Sequence, residues 1–442
     1  MPSDSRPLIV YFGSVQRPEC YAGLLGADVA LGLLKDTGSV HSLEPEEFDV
    51  IGRVPFSAGA EAVCRHLKEL AHGRDLESVI NVDEALVEMW AEVCARLGLP
   101  SMSRTAAATV RSKSLMRRRF AEDVGAHVSC RSRSVRGEAQ ALRFAADVGY
   151  PVVVKPENLW GSYFVSRCDD ADALLRAYRD IRVAGPRFAA AQCVDAPPVD
   201  VLVEEFLPGT NHSVECLALG DRVWTTPVVD VVTGADLGGH DFHHFARVTA
   251  SRLTGQEQRH LRELAADAVR AVGIDRGIAH AEFVHGPEGP KLIEVGGRPG
   301  GNRISLIHAA HGIDLLAGYR DVLRDREPAV TPSREGAAAV VTPYPVRPGI
   351  LTAYHGLDEI RALSSVVQVD LHKHPGDSVR PRKDGALIPL HIALYADGPE
   401  QLWADLQEVR LLCESLFQVV PEAAPEEHAH MSDRTPRPAT GT

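Results

Sequence analysis

Residues 279–302 constrain the chain more than any other stretch. Two short strand-like runs, Ala279-His280-Ala281-Glu282-Phe283-Val284 and Lys291-Leu292-Ile293-Glu294-Val295, flank the turn sequence His285-Gly286-Pro287-Glu288-Gly289-Pro290. If the runs pair symmetrically about Glu288, Glu282 and Glu294 stand opposite one another with Cβ atoms about 5 Å apart. The two carboxylates then share one face among apolar neighbours, where like charges repel and a divalent cation is the natural remedy. Hard oxygen ligands at this separation suit magnesium, which completes its shell with phosphate oxygens and water. A solvated hairpin with alternating glutamates is the competing reading of these residues alone.

Gly296-Gly297-Arg298-Pro299-Gly300-Gly301-Asn302 follows at once. Four glycines around one arginine let backbone approach a ligand and aim a fixed cation at it, an arrangement suited to phosphate or a developing oxyanion. Upstream, Gly149-Tyr150-Pro151-Val152-Val153-Val154-Lys155-Pro156 ends an apolar strand in a lysine, which an anion must meet to offset desolvation. The loop through Gly161 and Ser162 can fold over phosphates. Lys113 opens a helix and is a second candidate phosphate contact. Val203-Glu204-Glu205-Phe206-Leu207-Pro208-Gly209 ends a strand at a turn, where backbone groups can read an adenine edge.

A chain of 442 residues exceeds one ordinary core and predicts two to four modules. Leu8–Phe12 followed by Gly13, and Ser78–Val82, read as buried parallel strands of a Rossmann-like layer. Leu86, Trp90, Val93 and Leu97 recur at helical spacing before Gly98, and a second helix carries Leu115, Met116 and Phe120 and closes at Gly125. Residues 1–125 are thus expected to form an N-terminal α/β domain with a helical link. From residue 126 the chain turns to β-branched runs, and Thr254 to Glu257 spell a capping box for a helix ending at Gly273. Residues 126–330 are read as one domain, 331–420 as a third, mostly β module, and 421–442 as a disordered tail poor in bulky apolar groups.

Sixty acidic against 47 basic side chains give a net charge of -13, which disfavours nucleic-acid and anionic-membrane partners. No run of about 18 apolar residues occurs. Eight scattered cysteines without a CxxC suggest neither zinc cage nor disulfide frame, so reduced thiols in the cytoplasm are expected.

These motifs, in this order, resemble the ATP-grasp superfamily of carboxylate-amine ligases over approximately Leu8 to Leu323. The resemblance implies an ATP-grasp fold, α/β and α+β in several domains: a Rossmann-like N-terminal domain, central ATP-binding subdomains and a β-rich C-terminal lid. It implies that Lys113 and Lys155 hold ATP phosphates under the loop through Gly161 and Ser162. Glu204, Glu205, Phe206 and Leu207 would line the adenine, Glu204 and Leu207 through backbone atoms, with Asn211 near the ribose. Glu282 and Glu294 would bind Mg2+, with Mn2+ as an alternative. Many members carry asparagine two residues after the second glutamate, where this chain has Gly296. The spacing from Glu294 to Arg298 and its glycines looks like the L-amino acid ligase branch, the dipeptide-forming enzymes of antibiotic pathways. There an arginine at this spacing stabilises the tetrahedral intermediate, and a glutamate at the Glu84 position contacts the amino-acid substrate. Glu84 also suits the first turn of a helix on dipole grounds alone.

The expected activity is therefore ligation: a carboxylate is activated by ATP as an acylphosphate and an amine, most simply another amino acid, attacks it, with Arg298 as the catalytic residue. His240 and His244, in Gly239-His240-Asp241-Phe242-His243-His244, together with Gly300 and Gly301, are candidate substrate contacts. His372 and His374 read as structural, and Arg117-Arg118-Arg119 as the wet face of a helix. The expected partners are small molecules, with a homodimer left open. A P-loop kinase lacks its GxxxxGK[ST] and a nicotinamide dehydrogenase its GxGxxG here. An ATP-grasp carboxylase, a purine-pathway-type ligase and a non-catalytic nucleotide-binding regulator remain as alternatives.

Overall fold

The computed structural model describes residues 5–15, 17, 21–39, 42–192, 199–381 and 388–422. The expectation for the tail therefore lies, from residue 423 on, outside the described residues.

Near the N-terminus four parallel strands pair in the order Val50–Val54, Ala30–Asp36, Leu8–Phe12, Leu76–Asn81. Leu8–Phe12 is buried along its whole length, as a central strand covered on both faces must be. Of these strands the sequence reading contains Leu8–Phe12 and, as Ser78–Val82, the strand Leu76–Asn81. Ala30–Asp36 and Val50–Val54 escape it because glycine (Gly32, Gly52) and charged residues interrupt their apolar runs. Val87–Leu97 is helical and stops at Gly98 in the left-handed region, φ 69°. After a short helix, Arg104–Val110, the helix Lys113–Arg119 runs into a π-helical turn over Phe120–Gly125.

A second sheet of four antiparallel strands has the order Ser132–Val135, Val201–Glu205, Val152–Pro156, Ser166–Cys168. Two helices, Glu138–Val148 and Ala171–Gln192, pack on one face of it and enclose a separate core around Phe144, Leu174, Ile181 and Val203. The long second helix corrects the β reading of 149–219. Its charged face and internal Pro186 mask the helical period.

The largest sheet has nine antiparallel strands, in the order Gly289–Gly296, Arg276–Gly286, Thr210–Leu219, Val229–Thr233, His244–Val248, Ala337–Val341, Leu390–Ala396, Val366–Leu371, with Arg222–Thr225 beside Thr210–Leu219. It continues without a break past residue 331, because Ala337–Val341 pairs with His244–Val248. Helices Leu357–Ala362 and Pro399–Cys413 accompany the strands after 331. The capping box forms as expected: Thr254 caps Gly255–Ala271, accepting from the Glu257 N–H while the Glu257 carboxylate accepts from the Thr254 N–H. One continuous apolar core joins the N-terminal layer to this sheet, running from Leu8 and Trp90 through Val214, Leu264 and Ile278 to Leu316 and Tyr319. Among the described residues no helix is long and apolar enough to cross a membrane.

Candidate active site

The hairpin Arg276–Gly286 and Gly289–Gly296 brings Glu282 opposite Glu294, so both carboxylates leave the same face of the sheet. The route to this register differs from the symmetric one. The turn is centred one half-step before Glu288, pairing Gly286 with Gly289 and His285 with Pro290, which by itself sets Glu282 against residue 293. A bulge between Phe283–Leu292 and Glu282–Glu294 absorbs Ile293 as an extra residue and restores the pairing of the two glutamates. Their side chains are 27% and 19% exposed, reachable yet partly desolvated.

Behind Glu282 lies a polar chain that the sequence reading missed. His280 is on the same strand face two residues earlier. Its Nε2 is 2.9 Å from Glu282 Oε1 and its Nδ1 is 2.5 Å from Glu215 Oε1. Burial disfavours a charge on His280, but the Glu215 carboxylate, its hydrogen bond and that of Glu282 outweigh this and raise the imidazole pKa. For Glu282, burial acts to raise the pKa, and the hydrogen bond and charge of His280, then His244 and Arg303, pull it well below the usual carboxylate range. Glu215 Oε2 accepts the Gly300 N–H at 2.8 Å, and the buried Arg303, 4.0 Å from Glu215, donates to Ser213 Oγ at 3.0 Å. An added Cβ on Gly300 falls 2.5 Å from His280 Nδ1 and 2.6 Å from Arg303 Cγ, so glycine here is a packing requirement, whereas a Cβ on Gly301 meets nothing within 4 Å. The His280–Glu282 alternation is visible in the sequence. Glu215 is not, because only the register His280↔Glu215 reveals it.

Arg298 folds back toward Glu84. Its Nε stands 2.8 Å from Glu84 Oε2 without pointing a hydrogen at it, and its Nη1 donates to the Pro299 carbonyl at 2.9 Å. Arg111 Nη1 donates to the other Glu84 oxygen at 3.1 Å. Burial tends to raise the Glu84 pKa, but the charges of Arg298 and Arg111 prevail and lower it. A Cβ on Gly296 lies 3.0 Å from Glu84 Oε2. The space that a side chain at 296 would enter is thus bounded by Glu84, which gives the departure from asparagine a steric reason.

The opposite wall comes from the four-stranded sheet. Lys155 Nζ is 2.6 Å from Glu204 Oε2, while Arg117 Nε donates to Glu204 Oε1 at 2.8 Å. Despite burial, which acts to raise it, the Glu204 pKa is brought down to about 2 by Arg117 and Lys155. Arg117 is only 4% exposed, so the reading of Arg117 as solvated is wrong. It sits one turn beyond Lys113 on the inward face of its helix, while Arg118 and Arg119 are exposed. Lys113 Nζ donates to the Leu159 carbonyl at 2.6 Å and lies 3.6 Å from Glu294 Oε2, joining the two walls. Burial lowers its pKa, against the pull of Glu294.

Arg111 Nη2 donates to the Asn158 carbonyl at 2.8 Å, and its guanidinium lies 5.2 Å from the Trp160 ring centroid, tying down the loop that carries Gly161 and Ser162, both at positive φ. Glu205 ends its strand with Oε1 accepting from the Arg131 N–H at 2.9 Å, and Phe206 carries Arg167 4.8 Å over its ring. Leu207 is in the link to Thr210–Leu219, where Asn211 pairs with Val231 and Val284. His244 Nε2 is 4.0 Å from Glu282 Oε1, with its pKa well below normal through burial. His240 stands apart from that cluster, 75% exposed and 3.5 Å from Asp169.

The donor set fits a divalent cation bound together with a polyphosphate. Two carboxylates offer hard oxygens, one Glu282 oxygen being held by His280, and the Lys113 ammonium stands beside Glu294. Among the described residues no three His, Cys, Asp or Glu side chains are placed to hold a metal by themselves.

The chain is similar to known proteins in both sequence and fold. Residues 148–306 match the ATP-grasp domain model and residues 342–410 match L-amino acid ligase C-terminal domain 2. An uncharacterized protein of Sinorhizobium fredii is 24% identical over 371 residues, covering 84% of this chain and 72% of that protein. The carbamoyl phosphate synthase large chain of Clavibacter sepedonicus is 29% identical over 219 residues, 47% of this chain but 19% of its own length, so the chain spans about a fifth of that relative. Among solved structures, the L-amino acid ligase of Bacillus licheniformis superposes with a TM-score of 0.78 at 18% identity, covering 95% of this chain and 100% of that one. N5-carboxyaminoimidazole ribonucleotide synthetase of Thermotoga maritima gives 0.65 at 15%, covering 94% and 100%. The biotin carboxylase domain of Hydrogenobacter thermophilus 2-oxoglutarate carboxylase, solved with MgADP and bicarbonate, gives 0.66 at 14%, covering 93% and 90%. The chain has the ATP-grasp fold, with an ATP-grasp domain match over residues 148–306 and a C-terminal region similar to that of the L-amino acid ligases.

Proposed function

We propose that the protein is an ATP-dependent ligase that activates an amino-acid carboxylate as an acylphosphate and joins it to the amine of a second amino acid, releasing ADP and phosphate. The observation that carries this reading is the pairing of Glu282 with Glu294 on one sheet face, beside Lys113 and within the same charged cluster as Arg298. When bound, Mg-ATP supplies the phosphoryl group that turns the carboxylate into an activated acyl donor. Glu282 and Glu294 hold the cation, and Lys113 and Lys155 offset phosphate charge. Arg298, kept charged by Glu84, Glu282 and Glu294 against the effect of burial, faces the oxyanion that forms when the amine attacks. His280 holds Glu282 in orientation from behind. Small amino-acid substrates, a cytoplasmic setting and a place in specialised metabolism accompany this reading.

Phosphate release measured over all pairs of the twenty amino acids, with the product mass recorded, tests it. Turnover that needs a carboxylate and an amine together supports the ligase. The likeness to carbamoyl phosphate synthase and to the biotin carboxylase domain favours one rival, an ATP-grasp carboxylase. Turnover that follows bicarbonate instead of the amino-acid pair would establish that rival.

A further inference from the structure

Outside this site, a cleft of about 420 Å³ lies between the outer face of helix Lys113–Arg119 and edge strand Ser132–Val135. Its lining includes Arg117, Arg118, Arg131, Arg133, Ser132 and Ser134. Arg118, Arg131 and Arg133 are exposed, and no ion pair engages them among the described residues. Arg117 is buried, and only its Nε is engaged, by Glu204 and by Cys130 Sγ at 3.0 Å. Both terminal nitrogens, Nη1 and Nη2, are buried without a hydrogen-bond partner. An unpaired guanidinium end is costly to bury, and the groups around it do not relieve the cost. Burial pushes the Cys130 thiol up to about 11, against the pull of Arg117, so it stays neutral near pH 7. The single Glu204 carboxylate is shared between Arg117 and Lys155.

We propose that this cleft is a binding site for a phosphate group, held by the free end of Arg117, the three exposed arginines and the serine hydroxyls. A tetrahedral dianion uses several donors arriving from different directions, which suits guanidinium forks and hydroxyls together. The strand order places the cleft behind the nucleotide wall: Ser132 pairs with Glu204, Glu204 pairs with Val153, and Lys155 follows on that strand. Arg117 and Glu204 therefore separate the cleft from Lys155. Phosphate on Arg117 neutralises that cation and leaves Glu204 drawn more strongly to Lys155, so the lysine is less available to a nucleotide phosphate. Binding at the cleft weakens nucleotide binding, and by linkage nucleotide weakens binding at the cleft. This coupling rests on the reading of Lys155 as a nucleotide contact; occupancy of the cleft does not.

The experiment uses the full chain, at constant ionic strength set with chloride. Binding of inorganic phosphate and, separately, of glycerol 3-phosphate is measured by calorimetry without nucleotide, and the ADP Kd is then measured with and without each. The expected result is saturable phosphate binding and an ADP Kd raised about five-fold or more. Both effects should be lost in Arg118→Gln/Arg131→Gln, which keeps the phosphate-free ADP Kd. Arg117→Lys, which retains a charge for Glu204 but lacks the two free nitrogens, should also lose phosphate binding. Saturable binding of the ester alone would support the site and identify its ligand as a phosphate monoester. No binding of either anion above the chloride control overturns the proposal, and so does an unchanged phosphate effect in the double variant, which would put the anion in the nucleotide site. If ADP itself fails to bind, the proposed function falls while phosphate binding still decides the cleft.

Discussion

The two walls of the site are built on different foundations. The Glu282–Glu294 hairpin, Glu215 and His280 stand on the sheet whose core is continuous with the N-terminal layer, with Arg303 at the start of the helix Arg303–His311 packed behind them, so Glu84 and Arg298 face one another across a single packed body. Lys155 and Glu204 stand on a four-stranded sheet with its own, smaller core. The first wall holds its charged side chains in fixed relation through several buried partners. The second carries Lys155, proposed as a phosphate contact, and the Gly161–Ser162 loop on a unit that packs by itself, linked to the first through Lys113 and Arg111. A bound triphosphate would bridge the two, which gives each wall a distinct mode of failure.

The largest effect is expected on the first wall. Glu294→Gln should lower amino-acid-dependent phosphate release by at least ~10³-fold, the several kcal/mol that a cation contributes to charge stabilisation. The melting temperature should hold, since among the described residues Glu294 makes a single ion pair, at 3.6 Å. Near-normal turnover would remove the metal assignment. Arg298→Ala should cost about 10²- to 10³-fold in ligation while ADP affinity stays within a factor of about two. Equal losses in both would make Arg298 a nucleotide contact.

On the second wall the failure should be structural. Glu204→Ala leaves Arg117 and Lys155 as two buried like charges and should cost about 3–5 kcal/mol, read in denaturant titration as early melting of the unit around Phe144 and Ile181. Acid should mimic it. The folded Glu204 pKa, about 2, lies below the ordinary glutamate value of 4.5. Its contribution, about 3 kcal/mol at 1.36 per pKa step, is fully present above pH 4.5 and lost as pH falls toward 2. A Glu204→Gln chain should lack that portion of the acid transition, and an identical profile for both chains would refute the ion-pair account.

How much of each wall was legible follows from how its contacts are made. The hairpin announced itself because both strands and their turn are contiguous, so a local pattern carries the register, apart from the bulge at Ile293. Lys155 stood out as a cation ending an apolar run, and Lys113 was marked as a cation opening a helix. Glu215, Arg111 and Arg117 did not, because each is defined by a partner far along the chain: His280 at 65 residues' separation, Glu84 at 27 and Glu204 at 87. Arg117 shows the limit most directly. Three consecutive arginines look alike in sequence, and only the direction of the helix decides that one of them is buried.

The smallest effects distinguish two adjacent glycines that the sequence could not separate. Neither has a backbone conformation reserved for glycine, so the difference lies in space alone. Gly300→Ala forces a methyl against His280 and Arg303 and should cost about 1–3 kcal/mol in stability, with a further loss of turnover because His280 can no longer hold Glu282. Gly301→Ala points into open space and should change stability by less than about 0.5 kcal/mol. Gly301 then has one remaining reason to be glycine, the close approach of a substrate to its backbone. A raised KM for the amine at unchanged kcat in Gly301→Ala would support that contact, and kinetics identical to the parent would withdraw it while leaving the Gly300 argument intact.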